Sequence, residues 1–330
     1  MTAVSGMRAV QYTRTGEARD VLELCELERP EPDRNELRVA LRASGVNPHD
    51  TKKRSGWTGA TLDGPVIPHS DGAGIIEAVG EGVDPARIGE RVFIVNAPPG
   101  RGTAAEAVVV PAERTLPLPG CLSFVEGAAL GVPHFTAWLA VLGDGPVAGQ
   151  TLLVQGGGGA VGRVAVELAV LSEATVIATG RSDHARGTAL RSGAHLVLPT
   201  GSPELLPAIL EHSGGRGASR VVDVDFAANQ DADIAALASH GTLAAYSCSS
   251  DRAPVLDYYA FARKAARLTF VQGADLLASQ IAAAGQTLGA HLEAGRLRPA
   301  IAATFPLDRT ADAHEAVEAG ARGNIVVTCR

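Results

Sequence analysis

Cysteine, net positive charge and long apolar runs are all scarce in this 330-residue sequence, and each shortage removes a class of protein. Cys25, Cys121, Cys248 and Cys329 are scattered with no CxxC pair, so neither a disulfide scaffold nor a cysteine-built zinc site is indicated. Such usage fits a reducing cytoplasm. With 29 basic against 36 acidic side chains the formal net charge is -7. That balance works against binding nucleic-acid phosphates or anionic lipid, both of which need clustered positive charge. An aromatic and basic platform for RNA bases is also missing. No apolar run can span a bilayer, and the opening residues lack the basic, apolar and small-residue order of a secretory signal. The expectation left standing is a soluble, cytoplasmic protein with small-molecule partners.

What is present is enough apolar side chain, 46%, for a full core, in a chain whose length suggests two domains. The first third carries short β-type runs separated by Gly and Pro: Leu37 to Leu41, Ala73 to Val79, Arg91 to Val95 and Ala107 to Val110. They predict a β-rich partial barrel. From about Thr151 the rhythm becomes strand, Gly-containing turn and helix, as in parallel βαβ units. Strands are expected at Thr151 to Gln155, Thr175 to Thr179, His195 to Leu198, Arg220 to Val224 and Thr242 to Ser247. Val161, Val164, Leu168 and Leu171 recur three or four apart and form one apolar helical stripe. The tail has an Ala-rich helical stretch from Leu277 to Ala294 and a strand-like Asn324 to Thr328. The fold class expected is therefore α/β, with a β-rich domain (1–122 and 271–330, discontinuous) and a doubly wound parallel-sheet domain (123–270).

Gln155 to Gly162 follows a strand and opens a helix, and Gly157, Gly159 and Gly162 satisfy GxGxxG spacing. In that motif the first glycine permits the tight turn, the second lets backbone approach a pyrophosphate, and the third lets helix and strand pack closely. The helix N-terminus offers unpaired N–H groups to phosphate. About 20 residues on, NAD-binding versions carry an Asp or Glu for the ribose hydroxyls. This chain has Gly180, Arg181 and Ser182 instead. A guanidinium beside a serine hydroxyl suits a 2'-phosphate, which favours NADPH. The competing reading has Asp183 binding ribose while Arg181 solvates a loop.

At this point the chain resembles the medium-chain dehydrogenases/reductases over nearly its whole length, and within them the zinc-independent, zeta-crystallin-like quinone oxidoreductases. Gly45-Val46-Asn47-Pro48-His49-Asp50-Thr51 resembles GVNPxDT, and Ser70-Asp71-Gly72-Ala73-Gly74 with Glu77-Ala78-Val79-Gly80 resembles SDxAGxxEAVG. Gly131-Val132-Pro133-His134-Phe135-Thr136-Ala137 is similar to GIPYFTA, and Ala227-Ala228-Asn229 and Leu237 to Gly241 echo two later elements. The resemblance implies a GroES-like catalytic domain, a Rossmann domain, a cofactor cleft where they meet, and a homodimer. It places Asn47 and Thr136 near the nicotinamide ribose, Ala160 and Val161 on the pyrophosphate, and Tyr246 and Ser249 beside the cofactor.

Zinc enzymes of the same superfamily carry Cys and His where this chain has Asn47 and Ser70, so no metal is expected. His49, Asp50, His69 and Asp71 are ligand types that would form a site only if two loops met. Without a metal, the protein's task is to hold the nicotinamide against an acceptor that takes hydride readily and to steady the developing oxyanion. A quinone suits this, and so does an enone or 2-alkenal. Asn47, Lys52 and His134 are the candidate donors, the last two standing where relatives carry Tyr. For Lys52 a solvated surface charge is the competing reading, and for His134 a structurally satisfied histidine. Asp225 has no assigned role. An NADPH:quinone oxidoreductase is thus expected, with an NADPH-dependent enoyl or 2-alkenal reductase as the enzymatic rival and a non-catalytic, crystallin-like NADPH-binding protein as the reading from another class.

Overall fold

The computed structural model describes residues 6–59 and 61–329; residues 1–5, 60 and 330, part of the expected catalytic domain, lie outside the described residues. Contacts divide the chain into two units, one running to Val132 and resuming at Ala274, the other Pro133–Gly273. The strands of the first are β1 (Gly6–Gln11), β2 (Glu23–Glu28), β3 (Glu36–Val46), β4 (Asp71–Val79), β5 (Arg91–Ile94), β6 (Ala107–Pro111) and β7 (Thr115–Pro117). The second contributes β8 (Thr151–Val154), β9 (Thr175–Gly180), β10 (Leu196–Pro199), β11 (Ala218–Asp223), β12 (Leu237–Ala245) and β13 (Arg267–Phe270). The tail returns β14 (Ile301–Pro306) and β15 (Asn324–Thr328) to the first unit.

In the first unit β3 is central, flanked by β15, β4 and β6, all antiparallel to it. Leu37, Val39 and Leu41 alternate along β3 and pack with Ile76, Val92, Ile94, Val108 and Val110. A strand with one face on the core shows this two-residue period. The β3–β4 register pairs Gly45 with Asp71. Asn47, two residues further, is thereby brought beside Asp71. Pro48 opens the helix Pro48–Ser55, a position where its missing N–H costs nothing. This is the GroES-like β-rich domain.

The second unit is a parallel sheet in the order β10-β9-β8-β11-β12-β13. Counted from β8 that is 3-2-1-4-5-6, the doubly wound order, with the reversal between β8 and β11. β8 is buried on both faces, and Leu153, Ile177, Val221 and Leu243 form the core with Ile209, Phe226 and Phe261. In such sheets ligands bind beyond the carboxyl ends of the strands at the reversal. Among the described residues no helix is long and apolar enough to cross a membrane.

Several strands escape the sequence pattern. β2 reads Glu-Leu-Cys-Glu-Leu-Glu and is mostly exposed, β13 spans four residues, and β14 is Ala-rich and ends in Pro. None has the β-branched richness that marks a strand. β12 also begins five residues before the expected Thr242, because the ladder bulges between its Leu237 and Thr242 pairings.

Candidate functional site

The turn after β8 is built by steric demand. Gly156 has φ +68°, the left-handed region that glycine enters without cost. At Gly162 a Cβ would stand 2.2 Å from the Gly156 carbonyl oxygen, and at Gly157 2.8 Å from the Ala178 Cβ. Gly158, which the GxGxxG spacing leaves out, is as constrained: its Cβ would lie 2.3 Å from the Ala185 carbonyl oxygen. Gly159 differs, for a Cβ there would meet nothing closer than 3.4 Å. It is exposed and precedes the helix Ala160–Leu171, whose N-terminus has no side-chain cap. Ala160 and Val161 are half-buried in its first turn.

Beneath the turn runs a buried chain. The Gly156 N–H donates to Thr179 Oγ1 (3.2 Å), the Thr179 hydroxyl to Gln155 Oε1 (2.6 Å), and Gln155 Nε2 to Asp233 Oδ1 (2.7 Å). Burial, reinforced by Asp223, holds the Asp233 carboxyl well above the usual carboxylate range, and burial raises Asp223 as well. Asp223 Oδ1 accepts from Asn229 Nδ2 at 2.7 Å and from the Asp225 N–H at 3.1 Å. Sequence reasoning missed Asp223, Asp233, Thr179 and the role of Gln155. A polar Gln ending an otherwise apolar strand was the available signal.

At the end of β9, Arg181 and Ser182 are exposed, and Arg181 has no partner among the described residues. Ser182 caps the helix Asp183–Arg191, its Oγ accepting from the Ala185 N–H at 3.2 Å, so the hydroxyl proton stays available. Asp183 pairs with Arg186, whose Nη1 also donates to the Gly180 carbonyl at 3.3 Å. The strand end therefore carries two guanidiniums, one engaging the nearby acid; Arg186 was not anticipated. After β12, the Tyr246 N–H donates to the Asp223 carbonyl (3.0 Å), and burial followed by Asp223 raises its phenol above the ordinary value. Ser249 is exposed. Asp225 gains a role: its Oδ1 accepts from the Ser249 N–H (3.0 Å), the Ser250 N–H (3.2 Å) and the Ser250 hydroxyl (2.8 Å), fixing that loop. His134 and Thr136 are buried in the helix Gly131–Leu142, and a Cβ on Gly273 would fall 1.8 Å from Thr136 Oγ1. Gly273 thus belongs beside Thr136.

The first unit holds a second polar group around Asn47. Its backbone N–H donates to Asp50 Oδ2 and its side-chain Nδ2 to Asp71 Oδ2, both at 2.8 Å. Asp71 Oδ2 also accepts from the Val132 N–H at 2.8 Å, while buried Oδ1 has no partner and faces Gly131, where a Cβ would lie 2.1 Å away. Burial pushes the Asp71 carboxyl up to about 7 against the donors that hold it down. Burial works to raise Asp50 too, but the His49 imidazole and the Asn47 N–H outweigh it and hold Asp50 at about 2. His49 Nε2 lies 3.0 Å from Asp50 Oδ1 and 2.9 Å from Ser70 Oγ.

Behind Asp71 a hydrogen-bond chain fixes two imidazoles. The Thr103 hydroxyl donates to the Asp71 carbonyl (2.5 Å), so Ser44 Oγ must donate to Thr103 Oγ1 (2.7 Å) and accept from His69 Nδ1 (2.8 Å). His69 Nε2 then accepts from His314 Nε2 at 2.9 Å. Both rings are neutral: burial brings His69 down to about 4 and His314 well below its ordinary value. A cavity of about 590 Å³ opens in this unit against His49, Asp50, Lys53, His69, Ser70 and Asn96. Lys53 lines it, whereas the Lys52 ammonium lies over the Trp57 ring, 4.7 Å from its centroid.

Comparison with known proteins assigns the chain to a family. The alcohol dehydrogenase GroES-like domain family matches residues 33–120, and the zinc-binding dehydrogenase family matches residues 192–327. The quinone oxidoreductase of Rattus norvegicus is 31% identical over 329 residues, covering 97% of both chains. The chain belongs to the quinone oxidoreductase family of medium-chain dehydrogenases/reductases. Among solved structures, an NAD-dependent alcohol dehydrogenase is 29% identical with a TM-score of 0.87, covering 97% of this chain and 99% of that one. A mycobacterial protein complexed with NADPH is 28% identical with a TM-score of 0.84, covering 98% and 99%. This quinone oxidoreductase relative is accordingly an oxidoreductase.

Its residues do not fit the zinc in one matching family's description. Both nitrogens of His69 are committed, to Ser44 and His314, and Asn47 turns its amide N–H toward Asp71. Among the described residues no three His, Cys, Asp or Glu side chains converge as metal ligands.

Proposed function

We propose that this protein is an NADPH-dependent reductase that delivers hydride to a quinone-type acceptor. The observation that carries the cofactor choice is the end of β9. An unpartnered Arg181 stands there beside a serine hydroxyl, and the nearby Asp183 is occupied by Arg186. A carboxylate would repel a 2'-phosphate, while a guanidinium forms a charge-assisted bond with it. The quinone acceptor is supported by the full-length likeness to quinone oxidoreductases.

When bound, the cofactor supplies a hydride from its nicotinamide. The turn fits a pyrophosphate: Gly157 and Gly162 close the fold around it, Gly159 leaves open the space that a Cβ would fill, and the N–H groups of Ala160 and Val161 point out of the helix start. Gly180, Arg181 and Ser182 take the adenosine phosphate, with Arg186 beside them. Thr136, Tyr246 and Ser249 complete the cofactor contacts, the last held by Asp225. Asn47, also a proposed cofactor contact, keeps one amide N–H after its bond to Asp71 and offers it to the oxyanion formed on the acceptor. His134 is a second donor. Lys52, drawn over Trp57, is the weakest of the three, and Lys53 lines the cavity in its place.

A homodimer and a cytoplasmic location belong to the same reading. β13 is an edge strand ending in Phe270, which is 72% exposed, and Val255, Tyr258 and Tyr259 add exposed apolar surface in the same unit. An unpaired edge with an apolar patch is what a second copy would cover. Sedimentation giving only the monomer would reject it. The test of activity is oxidation of NADPH and NADH against matched quinones and enones. NADPH-selective turnover with quinones is expected. Turnover with enones alone would make the protein an alkenal reductase, and tight NADPH binding without turnover would leave a crystallin-like binding role.

A further inference from the structure

The glycine turn follows the last residue of β8, and the opposite end of the same sheet is also polar. There a cavity of about 390 Å³ opens among the starts of β8, β11, β12 and β13. Register sets its floor. Arg220 of β11 pairs with Thr242 of β12, and Thr242 with Arg267 of β13. Paired residues on neighbouring parallel strands direct their side chains to the same face. Two arginines therefore flank one threonine, their Cα atoms about 10 Å apart at two strand spacings. Ser219, Ser239, His240, Gln150 and the carboxylate of Asp144 complete the polar lining.

The charges in this cavity are not balanced. Arg220 is 6% exposed; its Nη1 donates to the Ala140 carbonyl at 3.0 Å, its Nη2 reaches Asp144 Oδ2 at only 3.4 Å, and its buried Nε has no partner. Arg267 is exposed and has no partner among the described residues. Burial holds the Arg220 guanidinium below its ordinary range, and the like charge of Arg267 adds to that against the offset from Asp144. Asp144 is one carboxylate against two guanidiniums, so one positive charge and the open Nε donor of a desolvated cation are left without a partner. Tying the helix Gly131–Leu142 and the turn that follows it to the sheet accounts for Nη1 and Nη2 of Arg220. It leaves Nε, Arg267 and the cavity unexplained.

The backbone is shaped here as well. Between the Ala218–Leu237 and Arg220–Thr242 pairings β12 carries extra residues, and His240 among them has φ +62°. Bulges and left-handed non-glycine residues persist where something holds them, and they concentrate beside sites. The His240 N–H bond to the Lys264 carbonyl at 2.7 Å is one such hold.

We propose that this cavity binds a small oxyanion of the phosphate class, gripped by Arg220 and Arg267 with the Thr242 and Ser239 hydroxyls completing its shell. Bound there, the anion joins β11, β12 and β13 at the end of the sheet remote from the cofactor turn and stabilises the nucleotide-binding unit. The inference does not depend on which acceptor the enzyme reduces. Its chemistry is met by free inorganic phosphate or by the phosphoryl group of a small metabolite.

The test is thermal unfolding of the full chain in inorganic phosphate against chloride at matched ionic strength. A saturable Tm rise of at least about 2 °C is expected by about 20 mM. Phosphate also stabilises proteins generally without saturating, and it binds helix N-termini, so variants separate the sources. Arg267→Ala, at an exposed position, and Thr242→Val, close to isosteric, should each abolish the saturable rise while unfolding cooperatively in chloride. Arg181→Ala should retain it. The proposal is overturned if the wild type shows no saturable rise, if Arg267→Ala keeps it, or if only Arg181→Ala loses it, which would move the anion to the cofactor end. Glycerol 3-phosphate run in parallel separates the two sources. Half-saturation at a concentration tenfold lower than for inorganic phosphate assigns the site to a phosphorylated metabolite, and equal or weaker binding assigns it to free phosphate.

Discussion

In the Pro133–Gly273 unit the proposed cofactor cradle is contiguous, Gln155 to Gly162 in one turn and the start of one helix, whereas in the other unit Ser44, Asn47, His69, Asp71, Thr103 and His314 come together from across the chain. The units also treat charge differently. The glycine turn offers neutral backbone donors above a buried Gln and Thr. Around Asn47 two carboxyls are driven apart, Asp50 to about 2 by His49 and the backbone N–H despite burial, Asp71 to about 7 by burial itself. Pairs of titratable groups separated in this way are a mark of functional sites. The turn is a shape that several residues must preserve; the Asn47 region is an electrostatic arrangement that single side chains set.

The sharpest break in this comparison is steric. Gly162→Val would drive a side chain into the Gly156 carbonyl, and NADPH affinity measured by fluorescence titration should fall at least about 100-fold, near 3 kcal/mol. Gly159→Ala meets open space, so its Tm should match the wild type while NADPH affinity drops by about tenfold. Wild-type affinity in Gly159→Ala would show that the pyrophosphate lies elsewhere.

The electrostatic half is tested at Asp71. Its folded pKa is raised, so the native state holds a proton up to about pH 7 while the unfolded chain releases it near pH 4. Stability is lost as pH rises between those values, by up to about 4 kcal/mol above pH 7. Asp71→Asn keeps an oxygen for Asn47 and Val132 and has nothing to ionise. Denaturant unfolding should show the variant gaining on the wild type by about 2 to 3 kcal/mol between pH 5 and pH 8. A gap independent of pH would mean that Asp71 is ionised throughout.

What could be read from the sequence follows the same contrast. The glycine turn is legible because its strand, glycines and amphipathic helix are neighbours in the chain, and β8 to β12 because each contains an apolar run between turns. The motifs also single out Asn47, Arg181 and Thr136 as candidates. They did not reveal that Asn47 bonds Asp71, since that contact depends on the β3–β4 register, nor that His314 closes the chain on His69 across 245 residues. Lys52 and Lys53 are adjacent in sequence, and only the rotation of the helix decides that one meets Trp57 and the other the cavity. Gly158 was passed over because a motif counts positions, while the approach of the Ala185 carbonyl is a fact of packing.

A milder change probes whether the charge at the end of β9 selects the cofactor that the turn is proposed to bind. Arg181→Ala should lower kcat/KM for NADPH about 10- to 100-fold, the worth of one charge-assisted bond, and leave NADH unchanged. Equal losses for both cofactors would give Arg181 a structural role, and no loss would pass the phosphate to Arg186.

The smallest expected effect concerns the loop after β12, where contiguous and distant residues meet in one contact. Asp225 gathers three donors from Ser249 and Ser250, yet these groups are exposed, so water replaces much of what the carboxylate gives. Asp225→Ala should therefore cost only about 1 kcal/mol in unfolding, together with an affinity loss for NADPH of about threefold as Ser249 loses its fixed position. Asp225→Asn keeps the accepting oxygen and should restore both. Restored stability without restored affinity would separate the loop from cofactor binding and leave Tyr246 as the contact at that strand end.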